Sequence, residues 1–181
     1  MSRPRLSVLV ALVLAAVATR LVPHPPNMTC LAALALFGGA YFTDRRLAYA
    51  VPLAALCVSD LALGFYPHME VQYLAFALVV ALGTWTLRQR RGSLRVAGTS
   101  LVACILFFVV TNLGVWAFSG MYPRTLGGLA ACYLAAVPFF GNALLGDALF
   151  TVVLFGGFHL LENRFAALQE PQPAFRAVRP A

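Results

Sequence analysis

The chain has 181 residues, 61% of them hydrophobic and only 10% charged, with a mean hydropathy of +0.84 and a formal net charge of +7. A water-soluble domain carries about 25% charged residues, so this much apolar surface cannot be hidden in one small globule and its solvent is lipid. The 13 cationic residues are all arginines, set in short clusters between apolar runs; that pattern encodes orientation in a membrane and offers no aromatic–basic groove for a nucleic acid.

The first residues, MSRPR followed by an apolar stretch and Ala16-Val17-Ala18, imitate a signal peptide with its cleavage site. The further hydrophobic spans make a retained first helix the better reading. Runs long enough to cross ~30 Å of hydrocarbon place membrane helices at about Leu6–Val22, Thr29–Phe42, Ala48–Tyr66, Val71–Leu87, Ala97–Phe118 and Asn142–Leu161. The second is short, its length giving only about 21 Å. Either it starts inside the membrane, or the preceding Pro23-His24-Pro25-Pro26-Asn27 segment folds back into the protein. Irregular backbone is allowed at that depth only where protein or a water-filled cavity surrounds it.

Thr125–Phe140, opened by Gly127-Gly128 and closed by Pro138, is apolar enough for a short seventh span, which would put the C-terminal tail outside; the charge pattern favours a half-helix or re-entrant element before the last of six spans. Arg3 and Arg5, then Arg45 and Arg46, then Arg88, Arg90, Arg91 and Arg95 fall in alternating connections. With six spans, Arg164, Arg176 and Arg179 return to that same side, which the positive-inside rule makes cytoplasmic for both termini. The expectation is an all-α integral membrane protein of the bacterial inner membrane. It has one membrane domain over 1–165 and a frayed cytoplasmic tail over 166–181.

That topology puts three connections outside: RLVPHPPNMT, DLALGFYPHME, and the long stretch from Thr111 to Asp147. Histidines, prolines and intramembrane acids gather there, whereas TDRR and RQRRGSLR are plain arginine anchors. Asp60 and Asp147 lie just inside the outer helix ends, where a carboxylate is costly unless paired. Arg20 is the obvious partner and Arg124 another. The pairs either pin the helix ends together or help to shape a pocket.

Cys57, Asp60, Gly64 and His68 follow one helical stripe. Pro67 interrupts it, and Cys30, Cys57, Cys104 and Cys132 show no CxxC spacing, so no metal site is assigned. Asn112, Trp116 and Ser119 share a face of the fifth helix, a mixture suited to an amphiphilic small molecule or to interhelical packing. Tyr66, Tyr122, Phe139 and Phe140 add aromatic surface. Asn142 is expected to cap the sixth helix and present its positive dipole end to the cavity, and Thr29 to cap the second. Ala11 and Ala15 make an AxxxA spacing that permits close helix approach. No nucleophile–base pairing, cofactor motif or nucleotide-binding loop is evident, so no catalytic residue is assigned, and His159 receives no role.

RLVPHPPNMTCLAALALFGGAYF, SDLALGFYPHM, TNLGVWAFSGMYPRTLGGL and CYLAAVPFFGNALLGDALFT, spanning Arg20 to Phe158, resemble an uncharacterised family of small bacterial membrane proteins described as transport proteins. That family in turn is distantly similar to the S components of energy-coupling factor (ECF) transporters. The resemblance implies six helices that bind a vitamin-like solute from outside. It also implies a docking face at Ala11 and Ala15 for an ECF-type transmembrane and ATPase module. Arg20, His24, Asn27, Asp60, Asn112, Trp116, Tyr122 and Asp147 are the residues expected to line or brace the site. The alternative is a structural or accessory subunit of a larger membrane complex.

Overall fold

The computed structural model describes residues 1–169. Among them there is no strand, and five helical stretches are long and apolar enough to cross a membrane. The protein is a multi-pass, all-α membrane protein. Helix α1 (Arg3–Ala18) is started by Ser2, whose hydroxyl accepts from Arg5 N at 3.4 Å, and by Pro4 in its first turn, where the missing proline N–H costs nothing. It continues as a 3₁₀ turn, Thr19–Leu21.

Helix α2 (Leu31–Tyr41) is only 11 residues long, about 16 Å, and every one of those residues is buried. Its sequence LAALALFGGAY is apolar on all sides, which is the signature of a helix enclosed by protein. Helices α3 (Arg45–Leu63), α4 (Met69–Thr86) and α5 (Ser93–Phe118) surround it. Leu9 and Val13 of α1 are also fully buried against this core.

Glycine sets how closely the shell approaches. A β-carbon on Gly39 would strike the Val80 carbonyl and lie 2.8 Å from Thr84 N, both on α4. A β-carbon on Gly83 of α4 would lie 2.5 Å from Leu36 O. The two backbones therefore touch through reciprocal small residues, the means by which helices associate in lipid. Gly38 leaves room for the ring of Pro52, which sits inside α3.

The last third of the chain departs from expectation. Thr125–Phe140 is not a separate half-helix, and no new helix starts at Asn142. Helix α6 (Leu126–Thr151), a π-helical stretch (Val152–Gly156) and α7 (Gly157–Arg164) form one continuous helical segment of 39 residues. That is about 58 Å, well beyond the ~30 Å of hydrocarbon. Pro138 lies within it and is tolerated, as prolines are in membrane helices whose neighbours satisfy the freed carbonyl. Gly127-Gly128 belongs to the entry turn: Thr125 Oγ1 accepts from Gly128 N at 3.1 Å, and a β-carbon on Gly128 would strike Pro123 O. The half-length element is real, but it is α2.

The arginine-rich end is tied across the bundle. Buried Arg5 pairs with Glu162 at 2.5 Å, donates to Leu168 O and lies over the Phe158 ring at 5.0 Å. Arg91 donates to Ala40 O at 3.2 Å and stacks over Tyr41 at 4.5 Å. Ala166–Leu168, expected to fray, is a docked 3₁₀ turn with Leu168 buried and Ser2 donating to Ala167 O at 3.0 Å. The remainder of the expected tail, 170–181, lies outside the described residues.

Replacing Gly39 by alanine should lower the thermal midpoint in detergent by an amount equivalent to 1–3 kcal/mol or more, as overpacking against backbone does. Gly98→Ala, with nothing within 4 Å of the new methyl group, should leave it unchanged. Equal midpoints for the two variants would contradict the close α2–α4 contact.

Candidate functional site: a hollow at the mouth of the short helix

The connections α1–α2, α3–α4 and α5–α6 meet at one end of the bundle, opposite the arginine cluster. The His68 and Phe118 rings are 5.7 Å apart, Tyr66 donates to Gln72 Oε1 at 2.6 Å, and Trp116 Nε1 donates to Pro123 O at 3.1 Å. Asn142 Nδ2, well inside α6, donates to Pro26 O at 3.0 Å and holds the first connection against that helix. Asn142 is therefore a mid-helix clasp rather than a cap.

The first connection is built to descend into the protein. Met28 N donates to Pro25 O at 3.0 Å, closing a turn with Pro26 and Asn27 in the middle, and Asn27 has φ of 62°. Proline followed by a residue with positive φ is the requirement of a type II turn, and asparagine tolerates that region better than most residues. The chain then passes over Gly146, where a β-carbon would lie 2.9 Å from Thr29 O. It reaches Cys30, whose thiol meets Ala16 O at 3.2 Å. Helix α2 thus begins deep in the bundle.

A helix end buried there has first-turn N–H groups that water cannot reach. Neither Thr29 nor the cap residue Cys30 supplies a side-chain cap. Asp147, reaching across from α6, accepts from Ala33 N at 3.1 Å, and its carboxylate also faces Ala32 N–H and the Cys104 thiol. It is buried, and it meets helix N–H groups rather than the arginine that its position suggests. A carboxylate at the positive end of a helix is stabilised by both the hydrogen bond and the dipole.

Arg20 and Asp60 form the expected ion pair, at 2.7 Å, with side chains 9% and 1% exposed. Arg20 also donates to Ser59 Oγ, and Tyr73 O–H donates to Asp60 Oδ2 at 3.0 Å. Both carboxylate oxygens are occupied, as a buried charge requires. Asp60 stands behind Arg20 and braces it.

These groups surround a cavity of about 220 Å³ at the mouth of α2. Of the residues expected from sequence, Arg20, Asn27, Asn112 and Asp147 line it. His24 does not: with Arg20 and Thr29 it borders a second hollow of about 310 Å³ beyond the loop, against Leu149 and Phe150. The proline-rich loop is therefore a partition between two spaces. Trp116 braces the α5–α6 turn, and half-buried Tyr122 stays outside the cavity lining.

The reading from sequence missed Gln72, Thr111, Cys104, Phe107 and Phe108 in the wall, which Phe139 and Phe140 complete. Gln72 sits near the start of α4, and nothing in a lone glutamine marks it; its importance follows only from Tyr66 holding its oxygen. The supposed stripe from Cys57 to His68 is broken, because α3 stops at Leu63, Gly64 takes φ of 94°, and His68 starts α4. Among the described residues, no three His, Cys, Asp or Glu side chains gather as metal ligands.

A larger cleft, about 730 Å³, opens at the opposite end beside Arg91, Ser93, Phe155 and His159. Its charged groups are engaged elsewhere: Arg91 with Ala40 O and Arg88 O, Glu162 with Arg5, and His159 with Asn163 at 3.1 Å.

With the geometry in view, comparison with known proteins gives one result. The chain belongs to DUF6580, a family of unknown function whose model matches residues 1–171. No curated protein and no solved structure matches it.

Removing one partner of the buried ion pair, as in Asp60→Ala, should destabilise the protein by about 3–5 kcal/mol. The double variant Arg20→Met with Asp60→Leu should recover most of that loss in thermal unfolding; a double variant no better than the single would refute the pairing. Asp147→Asn, which keeps an acceptor for Ala33 N–H, should cost less than about 1 kcal/mol. Asp147→Leu should cost about 1–3 kcal/mol by leaving buried donors unmet. Hydrogen exchange at Ala32 and Ala33 provides the local readout.

Proposed function

We propose that this DUF6580 protein is a carrier that binds a small organic, vitamin-like solute at the mouth of α2 and moves it across the bacterial inner membrane. The observation that carries this reading is the cavity itself: exposed Asn27 of the first connection, half-buried Gln72 of α4 and Asn112 of α5, and buried Asp147 of α6 converge on a space walled by four phenylalanines. Ligand sites are concave and mostly apolar, with a few placed polar groups. A protein that merely spanned the bilayer has no need to hold irregular backbone and a helix terminus at that depth.

Six membrane segments are inferred, with α2 as the half-length one. Arg5, Arg91 and Glu162 meet at the other end of the bundle, and its arginine excess makes that end cytoplasmic. The cavity then opens outward, and the proline-rich loop is its lid, hinged where Pro26-Asn27 turns and clasped by Asn142. No catalytic step is needed. The likeness to ECF S components supports uptake of a micronutrient, with energy supplied by a separate ATPase module or by rocking of the carrier alone.

One observation favours a second reading, an accessory subunit of a larger complex. Ala11 and Ala15 of α1 are both exposed on the outer surface of the bundle, leaving a small-residue face on which another membrane helix can sit closely. The same face serves an ECF-type partner in the first reading.

Asn112→Ala and Trp116→Ala separate the two. A carrier should lose solute retention and uptake by about tenfold or more while still assembling with its partners. A subunit should lose assembly. Mass spectrometry of small molecules retained after purification in mild detergent should find a stoichiometric solute in the wild type; repeated absence together with tightly held protein partners would favour the subunit.

A further inference from the structure

Resting on the carrier reading, we infer that the cavity selects an uncharged, flat heterocycle bearing a cyclic-amide edge, an N–H beside a C=O, and rejects anions. The charges at the site are already accounted for. Arg20, the cation in the wall, is neutralised by Asp60 at 2.7 Å and fixed by Ser59. Asp147 faces the α2 N-terminus, whose dipole supplies only about +0.5 of a charge against it. An anionic group would enter a buried space with no free positive charge to meet it, which costs several kcal/mol. The positive helix end anticipated at Asn142 does not exist, since α6 runs through that point.

Three side-chain amides line the cavity: that of Asn27, at the exposed loop, makes no hydrogen bond among the described residues, and those of Gln72 and Asn112, set deeper, are each held at one end. Tyr66 O–H holds Gln72 Oε1, and Gln72 Nε2 is buried with no partner. An unmet buried donor is costly; Nε2 lies just behind the cavity wall, and a small shift of the Gln72 amide brings it to a solute carbonyl. Asn112 is the converse: its Nδ2 donates to Phe108 O at 2.8 Å, so its Oδ1 is left to accept from a solute N–H. The cavity volume of about 220 Å³ lies below the 300–1,000 Å³ of drug-sized sites, so a single ring or fused bicycle fills it. Phe107, Phe108, Phe139 and Phe140 give such a ring its apolar walls.

The test uses two matched bicyclic probes, neutral quinazolin-4-one and anionic quinoline-2-carboxylate, in equilibrium dialysis against the full chain in lipid nanodiscs at pH 7, corrected with empty nanodiscs. The lactam should bind at least tenfold more tightly than the carboxylate. Gln72→Leu should weaken the lactam about tenfold while leaving the unfolding midpoint unchanged or raised. If that variant does not fold, Gln72→Glu, which preserves the acceptor for Tyr66, should show the same loss. Preference for the carboxylate, or unaltered lactam binding in the Gln72 variants, would overturn the assignment of solute class while leaving a binding cavity in place. Failure of both probes to bind the wild type would overturn the solute class, whereas the carrier reading falls only if no solute is retained on purification and protein partners are held instead.

Discussion

The structure depends on a short apolar helix whose N-terminus is buried in the middle of the bundle. Helix α2 cannot reach both faces of a bilayer, and none of its residues is exposed. Its first-turn N–H groups therefore need an acceptor supplied by protein, and Asp147 supplies it from α6. Once that contact is fixed, the preceding connection has to travel inward to meet α2. The Pro26–Asn27 turn, the clearance at Gly146 and the Asn142 clasp are the local solutions to that demand. The cavity is the space left where four helices diverge around the inserted loop.

The same constraint divides the bundle into two chemically different ends. At one end, arginines meet carbonyls, a glutamate and aromatic rings, and the core is a dense cluster of Phe37, Tyr41, Phe155 and Phe158 with centroids 4.7 to 5.9 Å apart. At the other end the helices are spread by the descending loop, and polar side chains from distant parts of the chain face one another. Packing by glycine against backbone holds the first end rigid; paired charges and amides hold the second.

Some of the site was legible because chemistry restricts what a buried charge can do. Asp60 in an apolar run demanded a cation, and Arg20 at the end of the neighbouring helix was the natural choice. Asp147 obeyed the same rule but found a different partner: a helix terminus carries partial positive charge without any residue to announce it. Asn142 and Thr29 were misread for a related reason, since capping residues look alike whether they start a helix or clasp a loop. Gln72 was invisible because its role comes from a tyrosine that fixes one end of its amide and a wall that buries the other.

The amino-acid order alone determined that the chain lives in lipid, that it is helical, that most of its arginines fall in alternate connections, and that its unusual polar residues lie in the others. Those properties follow from composition and run length, which the solvent reads directly. The tertiary structure decided which of two short segments is the half-helix, that Gly127-Gly128 and Pro138 do not end α6, and which polar atoms are left unmet around the cavity. Such outcomes rest on close approach between residues distant in the chain, where a missing methyl group or one carbonyl oxygen settles the matter and no local pattern records it.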